Sequence, residues 1–271
     1  MTDLPLIYEL LTYLVTGVLV GISAGLLGIG GGLLIVPVLS TVFLFFLDTT
    51  DIVHLAIGTS LATILVTSFS SARAHHKHKA VRWDIVKLLS GGVLIGAFVG
   101  GWCAQYFASV RLSQLFGVIE LLVGIHMLLA LKTCPNRQLP GLVGNSASGS
   151  VIGYLSSMVG IGGGTLMTPY LQWNNISMHQ SIATSVAVSL PIALAGSLGY
   201  LISGLNSPDL PAYATGYIYW PAFFGIVIAS YFTAPIGAKW AHQLPIKLLK
   251  RGFGILLIVL ALKMLYFSGQ V

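Results

Sequence analysis

Hydrophobic residues fall into eight long runs separated by short polar connectors: Leu10 to Phe46, Ile52 to Ala72, Ile85 to Ala108, Leu112 to Leu131, Leu142 to Trp173, Ile182 to Ile202, Tyr213 to Ile236 and Ile246 to Phe267. Each exceeds the ~18 apolar residues that suggest a helix crossing a bilayer. The pattern predicts an all-α polytopic membrane protein with no room for a separate soluble domain.

Two runs are anomalous. Leu10 to Phe46 has 37 residues and Leu142 to Trp173 has 32. At 1.5 Å per residue, a straight helix of either length overshoots a hydrocarbon core of ~30 Å. Both are broken by the same sequence, Gly28-Ile29-Gly30-Gly31-Gly32 and Gly160-Ile161-Gly162-Gly163-Gly164. At an offset of 132, Gly21 to Leu39 matches Gly153 to Leu171 with nine identities in nineteen. His54, Ile57, Thr59, Ser60 and Ala62 match His179, Ile182, Thr184, Ser185 and Ala187 at an offset of 125, and Phe116, Gly117 and Met127 match Phe253, Gly254 and Met264 at 137. The order is preserved, so the chain reads as a duplication. The first membrane repeat is residues 1–134 and the second is 141–271, each with a Gly-broken hairpin plus three transmembrane helices.

Composition excludes a water-soluble fold: 56% of the 271 residues are apolar and 7% are Asp, Glu, Lys or Arg, against roughly 25% charged in a soluble domain. The net charge of +6 does not indicate a nucleic-acid partner, because the basic residues sit in the connectors, where they orient a membrane chain. Their distribution also bears on topology. If each long run crosses once, the halves are parallel and the thirteen Lys and Arg split eight to five. If each turns back at its glycines, the split is eleven to two, with Arg111 and Lys263 the minority. The positive-inside rule prefers the second arrangement: two inverted repeats, with both termini outside. The arms beside the glycines span at most ~28 Å as helix, so length alone leaves re-entrant hairpins and tilted crossings both open. Asp3 and Glu9 stand where a signal peptide would be basic, so no cleavage is expected. Cys103 lies in an apolar run and Cys134 in a connector, and two free thiols are expected.

Inverted repeats with broken helices are the architecture of many secondary transporters, with the substrate near the midplane. The glycines then gain a meaning. Gly30, Gly31 and Gly32, with Gly162, Gly163 and Gly164, allow a ligand close to the backbone, and the helix that follows offers N–H groups to an anion. The alternative is that they serve close helix packing. Thr59 and Ser60, with Thr184 and Ser185, add hydroxyls that either donate to an oxyanion or cap their helices. His54 and His179 read as helix-start caps. Glu120 lies near the middle of its run, opposite Leu257 in the repeat register, and is either a proton-coupling residue or a neutral hydrogen-bonded acid. His75, His76 and His78 resemble a metal tract, but Arg73, Lys77 and Lys79 beside them disfavour one. The residues contain no catalytic constellation, and no enzyme activity, metal or cofactor is expected.

With the duplicated Gly28-Ile-Gly-Gly-Gly…Pro37 and Gly160-Ile-Gly-Gly-Gly…Pro169, and His54-Leu-Ala-Ile-Gly-Thr-Ser60 with its echo at His179 to Ser185, the chain resembles the sulfite exporter TauE/SafE family over nearly its whole length. The resemblance implies a multi-pass transporter of the cytoplasmic membrane. Its partners would be the lipid bilayer and a small sulfur-containing anion such as sulfite or an organosulfonate like sulfoacetate. Such a transporter would be an exporter working by alternating access, with Glu120 the candidate for proton coupling. A passive anion channel is the competing reading, and a scaffold without flux a third. Gly58 is replaced by Ala183 in the second half, which also lacks the basic connector after Ala72. The two half-sites are therefore not equivalent. The choice between monomer and homo-oligomer stays open.

Overall fold

The computed structural model describes residues 3–27, 31–129, 139–241, 243 and 246–267 of the chain. Among them run α1 (Asp3–Leu27), α2 (Gly32–Phe46), α3 (Ile52–Lys77), α4 (Trp83–Cys103), α5 (Ser109–Leu129), α6 (Leu142–Val159), α7 (Gly164–Trp173), α8 (Met178–Gly204), α9 (Trp220–Ala241) and α10 (Ile246–Phe267). The chain is an all-α polytopic membrane protein. Stretches of α1, α3, α4, α5, α8 and α9 have the length and apolarity to cross a bilayer. Cys103 is a free thiol, and Cys134 lies outside the described residues.

The two long runs each become a pair of helices. Helix α6 ends at Gly160, whose φ of +72° lets its own N–H and that of Ile161 bond back to the carbonyls of Ser157 (3.1 Å) and Ser156 (2.9 Å). Only glycine takes this left-handed closure without strain. Gly31, at φ +83°, precedes α2, while Gly28, Ile29 and Gly30 lie outside the described residues. Each pair folds back. Tyr219 stands edge-on to Phe43, late in α2, at 5.3 Å and donates to Glu9, early in α1, at 3.4 Å. In the second pair, Tyr170 late in α7 donates to Asn145 early in α6 at 2.9 Å.

One apolar run departs from its expected form. Tyr213 to Ile236 is not a single helix: β1 (Ala214–Thr215) pairs antiparallel with β2 (Ile218–Tyr219) around Gly216 at φ +54°, and α9 begins only at Trp220. Average hydropathy scores Tyr and Ile alike in a strand or a helix, so the turn leaves no mark on it.

The halves are interleaved. Gly17, Gly21 and Gly25 of α1 abut Ile226, Ser230 and Ala234 of α9 in that order, so the two helices run in the same direction. Gly92, Gly96 and Gly100 of α4 likewise abut Ser146, Ser150 and Tyr154 of α6. At each of these glycines an added Cβ would strike the facing backbone, which is how small residues four apart bring membrane helices together. Helix α3 runs with α9: Thr59 accepts from the Tyr219 N–H at 2.9 Å, and Thr67 meets Ser230 at 2.8 Å. Helix α8 runs with α4: Thr184 accepts from the Arg82 N–H at 3.1 Å, and Gly199 abuts Trp102. Helices α5 and α10 are antiparallel, with Gly117 against Leu265 and Gly124 against Gly254.

These directions place the C-terminal ends of α1, α3, α5 and α9 at one end of the bundle. Arg73, Lys77, Lys79, Arg82, Lys87, Lys239 and Arg251 gather there. Arg111, in the first turn of α5, and Lys263, beside the Met264 carbonyl that accepts from Ser113 (3.0 Å), stand at the other end. Lys132 and Arg137 lie outside the described residues.

Candidate functional site

Gly32 and Gly160, one from each glycine break, meet. A Cβ on Gly32 would be driven into the carbonyl oxygen of Gly160, and Ile161 backs the same spot. That carbonyl also accepts from the Ser60 hydroxyl at 3.0 Å, so Gly32, Gly160 and Ser60 form one contact between the halves. Gly31 packs beside Val20. Gly30 lies outside the described residues.

The second tip is built differently. Gly162, Gly163 and Gly164 are buried, and Gly163 faces the flexible end of Ile192 together with Ser189. Helix α7, like α2, begins without a side-chain cap, so the positive end of its dipole is not offset by a side chain of its own first turn. A cavity of about 180 Å³ opens there, between α7, the start of α8 and the second half of α5. Gly164, Thr165, Thr168 and Gln172 line one wall, His126 and Met127 another. Thr165 is 7% exposed and its hydroxyl has no hydrogen-bond partner among the described residues. The Thr168 hydroxyl pairs with that of Ser185 at 2.8 Å, which brings Ser185 to the edge of the cavity. A helix start and the Thr165 hydroxyl are groups able to donate hydrogen bonds, and apolar walls around them would strengthen each such bond by excluding water.

Thr59 and Thr184 are placed elsewhere. Each hydroxyl accepts the N–H that begins a neighbouring helix, Tyr219 before α9 and Arg82 before α4, so the matched pair fastens α3 to α9 and α8 to α4. Glu120 is fully buried on the face of α5 turned to α10, and neither of its oxygens has a partner among the described residues. The antiparallel register set by Gly117 against Ala261 and Leu265 and by Gly124 against Gly254 and Ile258 puts it level with the stretch from Ile258 to Ala261. His54 is buried, with its ring 3.2 Å from the Ala104 carbonyl. His75 turns inward, its ring 3.2 Å from the Gly25 carbonyl, while His76 accepts from the Trp83 indole at 3.0 Å.

The end away from the basic residues is tied shut. Asp51 accepts from Ser207 at 2.6 Å and from Tyr217 at 3.3 Å, and Thr49 donates to the Asp209 carbonyl at 2.7 Å. Tyr13 donates to Glu9 at 2.5 Å. Burial, and next the nearby Glu9 carboxyl, push the Tyr219 hydroxyl up to about 12, so it remains a donor to Glu9.

Thr165, Thr168 and Gln172 were not singled out by the motif pattern. A signal for the first two exists within the repeat: at the offset of 132, Thr165 and Thr168 stand where the first half has Leu33 and Val36. Two hydroxyls in place of two apolar side chains mark the arm that faces a cavity.

A family model described as sulfite exporter TauE/SafE matches residues 13–264. The chain belongs to the sulfite exporter TauE/SafE family. It is 34% identical over 265 residues to a probable membrane transporter protein of Haemophilus influenzae, covering 94% of this chain and 97% of the relative. It is 28% identical to the probable membrane transporter protein YunE of Bacillus subtilis, over 93% of this chain and 96% of the relative. A probable membrane transporter protein of Methanocaldococcus jannaschii is 32% identical over 82% of this chain and 80% of its own length. No solved structure matches the chain. This TauE/SafE chain is thus a membrane transporter by class, which accords with the expectation of no enzyme activity.

Proposed function

We propose that the protein carries a small sulfur oxyanion, sulfite or an organosulfonate such as sulfoacetate, outward across the cytoplasmic membrane by alternating access between two inverted halves, 1–134 and 141–271. The observation that carries this reading is the cavity at the uncapped start of α7, with the unpaired Thr165 hydroxyl in its wall. Gly162 to Gly164 and Ser185 complete that half of the cradle, and Gly30 to Gly32 with Ser60 form the half that would assemble when the other arm opens, while Thr59 and Thr184 fasten the helices around it. The inverted arrangement is supported by helix direction: α1 runs with α9, α6 with α4, and α5 against α10, so matching helices point opposite ways. The concentration of basic residues at one end supports both termini lying outside. A cavity between α5, α7 and the start of α8, with the end away from the basic residues held together by Asp51, Ser207 and Tyr217, fits a carrier open to one side at a time. Glu120 is the proposed proton carrier, as a buried acid without a partner among the described residues.

Purified protein in liposomes tests this. Saturable uptake of sulfite or a C2 sulfonate that exchanges in counterflow is expected, and Thr165→Leu, which puts the first half's residue into the cavity, abolishes it. Flux linear in voltage without counterflow identifies a channel instead.

A further inference from the structure

At the basic end, α3 and α9 diverge and leave a groove of about 470 Å³. Arg73, Lys77 and His78 line it from α3 and the turn after it, Lys239 from α9. The net field here is uncompensated. The carboxylate at this end is Asp84, which is held by Arg82 at 2.6 Å. Among the described residues neither Arg73, Lys77 nor Lys239 has an acidic partner. The floor is of opposite character. Tyr231 and Phe232 line it, Phe232 being 70% exposed, on a helix whose outer face is apolar. From Tyr231 to Lys239 is about 12 Å along the helix axis, the drop from headgroup depth into the acyl chains.

An anion of inorganic size needs the cations alone, whereas this groove sets cations above an aromatic floor that opens sideways to hydrocarbon. We propose that it binds an anionic phospholipid: the phosphodiester among Arg73, Lys77 and Lys239, an acyl chain along Phe232. Basic pockets between membrane helices on the cytoplasmic side suit such headgroups. The occupant would clamp α3 to α9, the contact that also carries Ser70 to the Tyr231 carbonyl at 2.8 Å.

The full-length protein in detergent, supplemented with phosphatidylglycerol, phosphatidylcholine of the same chains, or inorganic phosphate, provides the test. Phosphatidylglycerol is expected to raise Tm by roughly 5 °C and to remain bound in native mass spectrometry, while phosphatidylcholine and phosphate do neither. The doubly substituted Arg73→Gln, Lys239→Gln protein changes two exposed side chains and keeps its basal Tm, but its phosphatidylglycerol-bound fraction falls about tenfold. Equal shifts from both lipids, a shift reproduced by phosphate, or undiminished binding to the double variant would each overturn the proposal. None of these results depends on which anion is transported.

Discussion

The two hairpins share nine of nineteen residues around their breaks and yet sit in different surroundings. Helix α2 is sunk in the main core: Leu33, Ile35, Val36, Leu39 and Phe43 are buried in one cluster with Leu55, Ile57 and Leu61. It packs against α10. Helix α7, its counterpart, buries Gly164, Thr165, Met167 and Leu171, and a cavity lies between it and α5. A duplicated backbone thus carries one sealed arm and one open arm, and a few side chains decide which is which: Leu33 and Val36 seal, Thr165 and Thr168 do not. The difference also bears on the proposed alternating access, which requires that the two conditions interchange.

The sharpest way to break the comparison is at the tips. Gly32→Ala sets a methyl against the rigid Gly160 carbonyl and should cost roughly 3 kcal/mol, read as a fall in Tm with loss of uptake. Gly163→Ala presses only on the movable end of Ile192 and should cost about 1 kcal/mol or less. Equal losses would mean the tips are alike. The next effect concerns Glu120, which Leu257 answers in the other half. Glu120→Leu should raise stability by about 2 kcal/mol, since it removes a buried acid with no partner among the described residues. Glu120→Gln should flatten the pH dependence of net flux and leave counterflow intact if the carboxyl carries the proton. Thr165→Val keeps shape and deletes a hydroxyl. The expected result is a tenfold rise in KM, about 1.4 kcal/mol, with Tm unchanged, whereas a fall in Tm would make the residue structural. Smallest is Asp51→Asn, at about 1 kcal/mol. It weakens the tie to Ser207 and Tyr217 and should let Val36→Cys react with a thiol reagent severalfold faster from the basic-poor end.

The eight apolar runs fix most of the helices, because bilayer thickness constrains length more strongly than sequence choice does. Leu142 to Trp173 and Ile246 to Phe267 coincide with helix limits, and the glycine breaks lie where the repeat put them. The β1–β2 turn was not legible, since it depends on the φ of Gly216 rather than on polarity. For the site, the repeat located the tips but not their asymmetry. Thr59 and Thr184 looked like ligand donors by spacing, and nothing in the spacing shows that a neighbouring helix brings an N–H to each. The cavity is a matter of which helices stay apart, a property of packing across halves that residues 160–170 alone do not encode.

The parallel seam of α1 along α9 has a consequence for biosynthesis. The glycine-notched face of α1 has no mate until some two hundred residues later, when the chain reaches Trp220. During that interval the nascent protein offers lipid, or any other helix, a surface shaped for tight association. Translation that halts before α9 leaves that surface unclaimed, and such fragments are natural targets for membrane quality control.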